Sequence, residues 1–168
     1  GLDLDRYGHE AFRRIYWGLG THLGNGVEQS YRRDRIGLVQ KEEDNPTGRG
    51  YLMDTELRSH TDFHELLSLA CVRKAEEGGL SGIVSSLAIH NAIFAERPDL
   101  LAPLYEGFYH ESAGGRLSDT RVPVYGYVGG KVSCYYHIPF VLNAARIMGV
   151  ELPAALREAL DYMQAVSL

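Results

Sequence analysis

The sequence predicts an α+β domain, because segments with helical spacing of apolar residues and short segments rich in valine and tyrosine follow one another along its 168 residues. The glycine pair Gly129-Gly130 lies between two strand-like segments, as the turn of a β-hairpin would. Hydrophobic residues make up 45% of the chain and charged residues 23%, which is typical of a globular protein. We therefore expect residues 1–168 to form a single domain that buries a core.

Five helices are predicted. The first covers residues 12–23, where apolar side chains recur every three or four positions, and it should face a core and end near Gly24. The second follows Ser85 or Ser86, either of which can cap it, and ends at Pro98. The other three are expected over residues 99–105, 140–148 and 153–165.

Strands are expected at residues 66–72 and 82–84, which are short apolar runs next to charged or glycine-rich turns. Residues 122–125 and 132–136 should pair as the hairpin that turns at the glycine pair. Residues 24–50 are predicted to be mostly loop, with at most a short strand at residues 36–39. Residues 112–115 should form a flexible loop.

The triplet His60-Thr61-Asp62 is the main candidate for a functional site. Side chains two positions apart on an extended segment project to the same side, so an imidazole nitrogen and a carboxylate oxygen can bind one small ion. Two histidines and one carboxylate form the facial triad of non-haem Fe(II) oxygenases, which leaves open coordination positions. His60 and Asp62 would supply two of those three ligands. The alternative is an ordinary hydrogen-bonded pair on the surface.

The surroundings of this triplet follow a recognisable order. After His60 and Asp62 come an apolar run, a charged turn that ends in Gly78-Gly79, a second apolar segment, and a helix that opens with small residues. The hairpin at residues 122–136 and another helix follow. This order resembles the Fe(II)- and 2-oxoglutarate-dependent taurine dioxygenase-like (TauD/TfdA-type) oxygenase family, and the similarity is sharpest over residues 57–97.

The resemblance implies a fold, a double-stranded β-helix with flanking helices. This is a cupin-like jelly roll in which two small antiparallel sheets surround the metal. The family's N-terminal strands, its distal metal-binding histidine and its cosubstrate-binding arginine are not found in these residues, so we expect a central section of the family domain, incomplete at both ends. Unpaired strand edges would then need a partner, and a homo-oligomer is one way to cover them.

The resemblance also implies an activity. Fe(II) would be held by His60, Asp62 and a distal histidine, and 2-oxoglutarate and O₂ would be consumed to oxidise a C–H bond of a small-molecule substrate, with release of succinate and CO₂. Ser81 follows Gly-Gly-Leu, where many relatives carry a threonine that touches the cosubstrate, and its hydroxyl can donate to a carboxylate. An ordinary turn serine is the alternative for Ser81. The prime substrate does not follow from these residues.

Several other residues are candidates for the site. His110 and His137 are the candidates within the chain for a third metal ligand, although neither lies in the family's distal motif. His64 and Glu65 imitate ligands at positions where the family has none, and His90 is expected to pack or cap a helix.

Two other functions stay open. A truncated or degenerate oxygenase-like domain would serve as a non-catalytic binding or assembly module, and a cupin-like metal enzyme of other chemistry would complete its site with His110 or His137.

Tyr135 and Tyr136 could line a pocket on alternating faces or belong to the core. The loop at residues 24–50 is expected to border the site, with Gln29, Arg32 and Arg49 as contacts for an anionic substrate.

Charge and hydropathy exclude some partners. The formal net charge of −5 argues against nonspecific nucleic-acid binding, which requires basic patches. No apolar run approaches the roughly 20 residues that span a bilayer, and the first residues lack the pattern of a signal peptide, so a cytoplasmic protein without membrane contact is expected. Cys71 and Cys134 lie in predicted strands and should be buried, reduced thiols.

Overall fold

The computed structural model describes residues 3–28, 33–43, 52–53, 56–112 and 115–168. Within it the chain divides into two compact units. One unit contains Gly1–Leu57 and Ser68–Gly79, and the other contains Arg58–Leu67 and Leu80–Leu168. The second unit holds the triplet His60-Thr61-Asp62. Whether residues 1–168 act as one domain stays a prediction.

The first unit contains one helix among its described residues, α1 at Leu4–Thr21, which is kinked at Gly8 (φ 74°, ψ 167°). The predicted first helix is therefore confirmed, but the expectation that it faces a core is wrong. Ile15 is 39% exposed and Leu19 is 60% exposed, and no described side chain of α1 is fully buried. Residues 24–28 and 33–43 have no regular structure, so the short strand expected at residues 36–39 is absent.

The second unit contains four α-helices in its described part: α2 at Ser86–Glu96, α3 at Leu101–Glu106, α4 at Ile138–Met148 and α5 at Ala154–Val166. Each lies close to its predicted range. The Ser85 side chain caps α2 by accepting from the amide of Ala88, because helix N-termini leave such amides without partners. A 3₁₀ turn at Pro98–Leu100 separates α2 from α3.

The strands form two short antiparallel pairs. Strand β3 (Tyr125–Val128) pairs with β4 (Lys131–Cys134), and the turn between them contains Gly129 and Gly130, both with positive φ. The predicted hairpin and its turn are confirmed, but its strands lie at these ranges rather than at residues 122–125 and 132–136. The second pair, β1 (Glu111–Ser112) with β2 (Arg116–Leu117), was not predicted and lies at the ends of the expected loop at residues 112–115.

The core of the second unit lies between its helices and the β3–β4 hairpin. Its buried residues recur at helical spacing in α4 and α5, which is why each of these helices turns one face toward the core. The cluster includes Ile93, Leu104, Tyr125, Tyr136, Val141, Leu160 and Met163. The hydroxyl of Tyr125 donates to the carbonyl of Ser86 at 3.1 Å and so ties the hairpin to the start of α2.

The α+β class is confirmed, whereas the strands predicted at residues 66–72 and 82–84 are wrong. Both segments lack regular structure, and they are solvent-exposed: Leu69 is 70% exposed and Ile83 is 99% exposed. A strand needs a neighbour for its main-chain groups, and within the described ranges no other segment pairs with either run. A double-stranded β-helix is accordingly not formed by the described residues, whose β-structure consists of the two two-stranded pairs and an isolated bridge between Phe108 and Val122.

The two cysteines differ from each other. Both thiols are free, as predicted, but Cys71 is exposed because its segment is not a buried strand. Cys134 is half-buried in β4, and burial raises the pKa of its thiol to about 11, so it stays protonated and unreactive at neutral pH. Separately, none of the helices that the structure describes combines the length and apolar character required to cross a membrane.

Candidate metal site

The segment that carries His60 and Asp62 is fixed to the core by the residue between them. The amide of Thr61 donates to the carbonyl of Tyr136 at 2.8 Å, and its hydroxyl oxygen accepts from the amide of Tyr136 at 2.8 Å. Tyr136 is itself buried and donates its hydroxyl to the carbonyl of Leu160. Because Thr61 binds inward, its neighbours His60 and Asp62 both lie exposed to solvent.

His60 has the tautomer that a metal ligand needs. Its Nδ1 lies 2.8 Å from the carbonyl oxygen of Arg58, and since a carbonyl can only accept, Nδ1 carries the proton. In the neutral form of such a ring, the lone pair is on Nε2. Metal-binding histidines in proteins are commonly held by such a bond from the other ring nitrogen, which fixes the orientation of the ring.

Aromatic side chains surround the two candidate ligands. The rings of His60 and His137 meet edge to face with centroids 5.5 Å apart, and His137 stacks on Phe140 at 3.8 Å. Phe63, directly after Asp62, lies 5.7 Å from Phe140 and 5.0 Å from Tyr135. We refer to Phe63, Tyr135 and Phe140 as the aromatic wall.

His110 lies behind this wall. Only 6% of it is exposed, and neither ring nitrogen has a hydrogen-bond partner among the described residues. Its ring centroid is 5.2 Å from that of Tyr135. Burial, and secondly the electrostatic effect of the nearby His137, lower the pKa of His110 to about 4, so its ring is neutral at pH 7.

Tyr135 connects His110 to the candidate metal ligands. Its hydroxyl is also buried without a hydrogen-bond partner within the described chain. Burial, and secondly the negative charge of Asp62, raise the pKa of Tyr135 above its usual value, so the phenol is protonated. Each buried group without a partner costs about 1–3 kcal/mol. Such groups are rare in proteins and call for an explanation.

The remaining candidate site residues are Ser81, His64, Glu65 and His90. Ser81 is exposed in an irregular segment, and in the described part of the chain no hydrogen bond links it to His60 or Asp62. His64 and Glu65 are exposed as well. His90 packs as predicted, with its Nε2 3.0 Å from the hydroxyl of Tyr105.

The described residues near His60 include two further histidines that were candidates for a third metal ligand. The ring of His137 touches that of His60, and His110 lies near His137. Nevertheless, no three side chains of the metal-binding types come together at a distance that would hold an ion in residues 3–28, 33–43, 52–53, 56–112 and 115–168. The predicted ligands remain His60 and Asp62, and their role stays a prediction.

Sequence reasoning missed the aromatic wall as a unit, because Phe63 and Phe140 are far apart in the chain. Tyr135 and Tyr136 do alternate as expected, with Tyr136 in the core and Tyr135 at the site. The burial of His110 has a local signal, since it lies two residues after the buried Phe108 in an extended segment.

The predicted substrate loop at residues 24–50 belongs to the first unit. Gln29, Arg32 and Arg49 lie outside the described residues. The role of this loop at the site therefore stays a prediction.

Comparison with known proteins shows the family to which the chain belongs. Residues 1–166 match the family described as "Taurine catabolism dioxygenase TauD, TfdA family", whose members in general depend on Fe(II), 2-oxoglutarate and O₂. FR-33289 synthase of Streptomyces rubellomurinus is 28% identical over 158 residues, which cover 89% of this chain and 47% of that protein. "Taurine hydroxylase-like protein SAT17" of Stachybotrys chartarum is 28% identical over 186 residues, which cover 99% of this chain and 47% of that protein. The chain thus spans about half the length of these curated relatives, and it belongs to the TauD/TfdA family.

Proposed function

We propose that this chain is the metal-binding part of an Fe(II)- and 2-oxoglutarate-dependent oxygenase that oxidises a C–H bond of a small molecule. The observation that supports this most is the state of His60, whose Nδ1–H donates to Arg58 and leaves Nε2 for a metal. Asp62 follows on the same clamped segment and contributes a carboxylate oxygen. This donor set suits Fe(II) and fills two positions of a facial triad.

In the proposed mechanism, the bound iron and its cosubstrate supply the oxidising chemistry, which yields succinate and CO₂. The chain itself would hold the metal through His60 and Asp62 and keep both ligands in place through the Thr61 clamp. The aromatic wall would keep water away and give the substrate an apolar surface on which to rest. A jelly-roll core, and a third ligand from residues beyond those described, belong to the same proposal.

Ser81 is proposed to bind the cosubstrate. Its exposed hydroxyl is available to donate to a carboxylate of 2-oxoglutarate. If it does, Ser81→Ala should raise the KM for 2-oxoglutarate and leave kcat nearly unchanged, because a uniform binding contact is lost. Unchanged KM would make Ser81 an ordinary turn residue.

Hydroxylation is the form of oxidation that we propose. One relative is named as hydroxylase-like, which agrees with C–H oxidation. The substrate is proposed to be a small organic molecule, and the protein is proposed to act in the cytoplasm without nucleic-acid or membrane partners.

The test is 2-oxoglutarate turnover by a polypeptide that carries this chain and extends over the full length of its relatives. With Fe(II) and O₂ it should form succinate, and His60→Ala or Asp62→Ala should abolish this. His64→Ala is the matched control, since His64 is an exposed histidine nearby with no proposed role. Undiminished succinate formation by the His60→Ala protein would refute the proposal.

A second candidate function applies to the 168 residues alone, namely a non-catalytic oxygenase-like binding or assembly module. It is favoured by the finding that the described residues offer no group of three metal-binding side chains. In this case the 168-residue chain should bind metal loosely and should not turn over. Stoichiometric decarboxylation of 2-oxoglutarate by this chain would contradict it and would direct attention to His110 and His137 as ligands.

A further inference from the structure

We propose that His110 and Tyr135 form a polar subsite beside His60 and Asp62, and that this subsite binds a neutral hydrogen-bonding group, a hydroxyl or an amide, of the organic substrate. That the ligand is the substrate of an oxygenase rests on the proposed function. The inference that a neutral hydrogen-bonding group binds here does not depend on the proposed function.

The first support is the unsatisfied hydrogen-bonding capacity of the pair. His110 is 6% exposed, and both of its ring nitrogens and the hydroxyl of Tyr135 are buried without hydrogen-bond partners among the described residues. An apolar ring at either position would fold without this penalty. Residues that reduce stability in this way are typical of binding sites, where a ligand supplies the missing partners.

The second support is the rigid placement of both residues. The amide of His110 donates to the hydroxyl of Ser118 at 3.0 Å, and its carbonyl accepts from the amide of Ser118 at 2.8 Å. The amide of Tyr135 donates to the carbonyl of Val124 at 2.8 Å. The main chain is therefore fixed at both residues, and their ring centroids lie 5.2 Å apart without any bond between the polar atoms in the described structure. Groups on a fixed main chain bind a ligand with a smaller loss of conformational entropy.

The third support is the connection to the candidate metal ligands. The Tyr135 ring lies 5.0 Å from that of Phe63, the residue after Asp62. On the other side, His110 lies near His137, and the ring of His137 meets that of His60. A substrate group bound by the pair would place the rest of the molecule along the aromatic wall.

The chemistry of the pair selects the ligand class. Burial keeps the imidazole of His110 neutral and the phenol of Tyr135 protonated at pH 7. A neutral imidazole offers one donor and one acceptor, and a phenol offers one donor and an acceptor. A hydroxyl or an amide matches this set. A carboxylate or an ammonium group would have to lose its hydration next to groups that carry no compensating charge.

The experiment uses the metal-free 168-residue chain with acetamide as the neutral probe and acetate as the anionic probe of similar size. Acetamide should produce saturable NMR shifts of the His110 ring nitrogens and of the Phe63 amide, and acetate should bind at least about fivefold more weakly. No saturable shift with acetamide, or tighter binding of acetate, would overturn the proposal. Because no metal is present, this result is independent of whether the longer protein turns over 2-oxoglutarate.

Two variants test the roles of His110 and Tyr135 separately, with acetamide binding followed by the NMR shift of the Phe63 amide. His110→Phe and Tyr135→Phe should each weaken acetamide binding by about fivefold or more, because each removes hydrogen-bonding atoms and keeps the ring. The control is His90→Phe, since His90 already bonds to Tyr105 in the same unit. Equal acetamide affinity in the wild type and in both variants would refute the subsite. If a variant fails to fold, the comparison of acetamide with acetate on the wild type still decides.

Discussion

Replacing Thr61 by valine tests how the candidate metal-binding segment is held. Valine has nearly the shape of threonine but lacks the oxygen that accepts from the amide of Tyr136 at 2.8 Å. The amide of Tyr136 would then be left partly buried without a partner, while the bond from the Thr61 amide to the Tyr136 carbonyl would remain. The loss of one partner from a buried hydrogen-bonded pair costs about 1–3 kcal/mol. Because the amide of Tyr136 is only partly buried, we expect a loss in the lower part of this range, about 1–2 kcal/mol.

The assay is hydrogen exchange of the Tyr136 amide, followed by NMR. A loss of about 1–2 kcal/mol corresponds to roughly five- to thirtyfold faster exchange. Thr61→Ser keeps the accepting oxygen and should stay close to the wild type. Thr21→Val is the matched control, because the hydroxyl of Thr21 is exposed and donates only to the carbonyl of Gly18. Wild-type exchange of the Tyr136 amide in Thr61→Val would show that the clamp does not hold the segment.

Three further predictions concern the second unit. Gly107→Ala should destabilise the protein by about 3 kcal/mol or more, because φ is +64° and a Cβ would collide with the carbonyl of Val122. Gly149→Ala is the control and should cost only about 1 kcal/mol, because φ is also positive but the space around Gly149 is open. Urea unfolding measures the free energy of unfolding of both variants. The free energy of unfolding should fall as the pH decreases from about 6.5 to about 4, because the pKa of His110 is lower in the native state and only the unfolded state binds a proton there in this range. His110→Phe should flatten that part of the pH profile, and an unchanged slope would refute the assignment. Arg97→Ala should leave the thermal unfolding midpoint close to that of the wild type, since the ion pairs of Arg97 are solvent-exposed, and a large drop in the midpoint would contradict this.

The helices of the second unit could be predicted because their signals are local. In α5, Leu156, Leu160 and Met163 recur at helical spacing and all three are buried. The β3–β4 hairpin was predictable for the same reason, since its turn needs two residues with positive φ and the sequence supplies Gly129 and Gly130.

The strands at residues 66–72 and 82–84 could not be judged in this way. An apolar run indicates a tendency to be buried, but a strand also requires a neighbour that can come from anywhere in the chain. The same limit applies to Cys71, whose exposure follows from the missing pairing.

For the candidate site, the sequence predicts two ligands, whose role stays a prediction, but it does not predict their surroundings. The spacing of His60 and Asp62 is a local feature, and the Arg58 carbonyl that sets the tautomer of His60 lies two residues away. The contact between Phe63 and Phe140 is nonlocal and emerges only from the packing of α4 against the clamped segment. The close approach of His137 to His60 has the same origin, since the Thr61 clamp fixes the neighbouring Tyr136.

The most direct test of the central claim is an anaerobic Fe(II) titration of the 168-residue chain and its variants. If His60 and Asp62 are the metal ligands, the wild type should bind Fe(II), and His60→Ala and Asp62→Ala should each weaken binding by about tenfold or more. His64→Ala should bind like the wild type. Equal affinities of the wild type and His60→Ala, or a loss as large in His64→Ala, would contradict the assignment of the metal site.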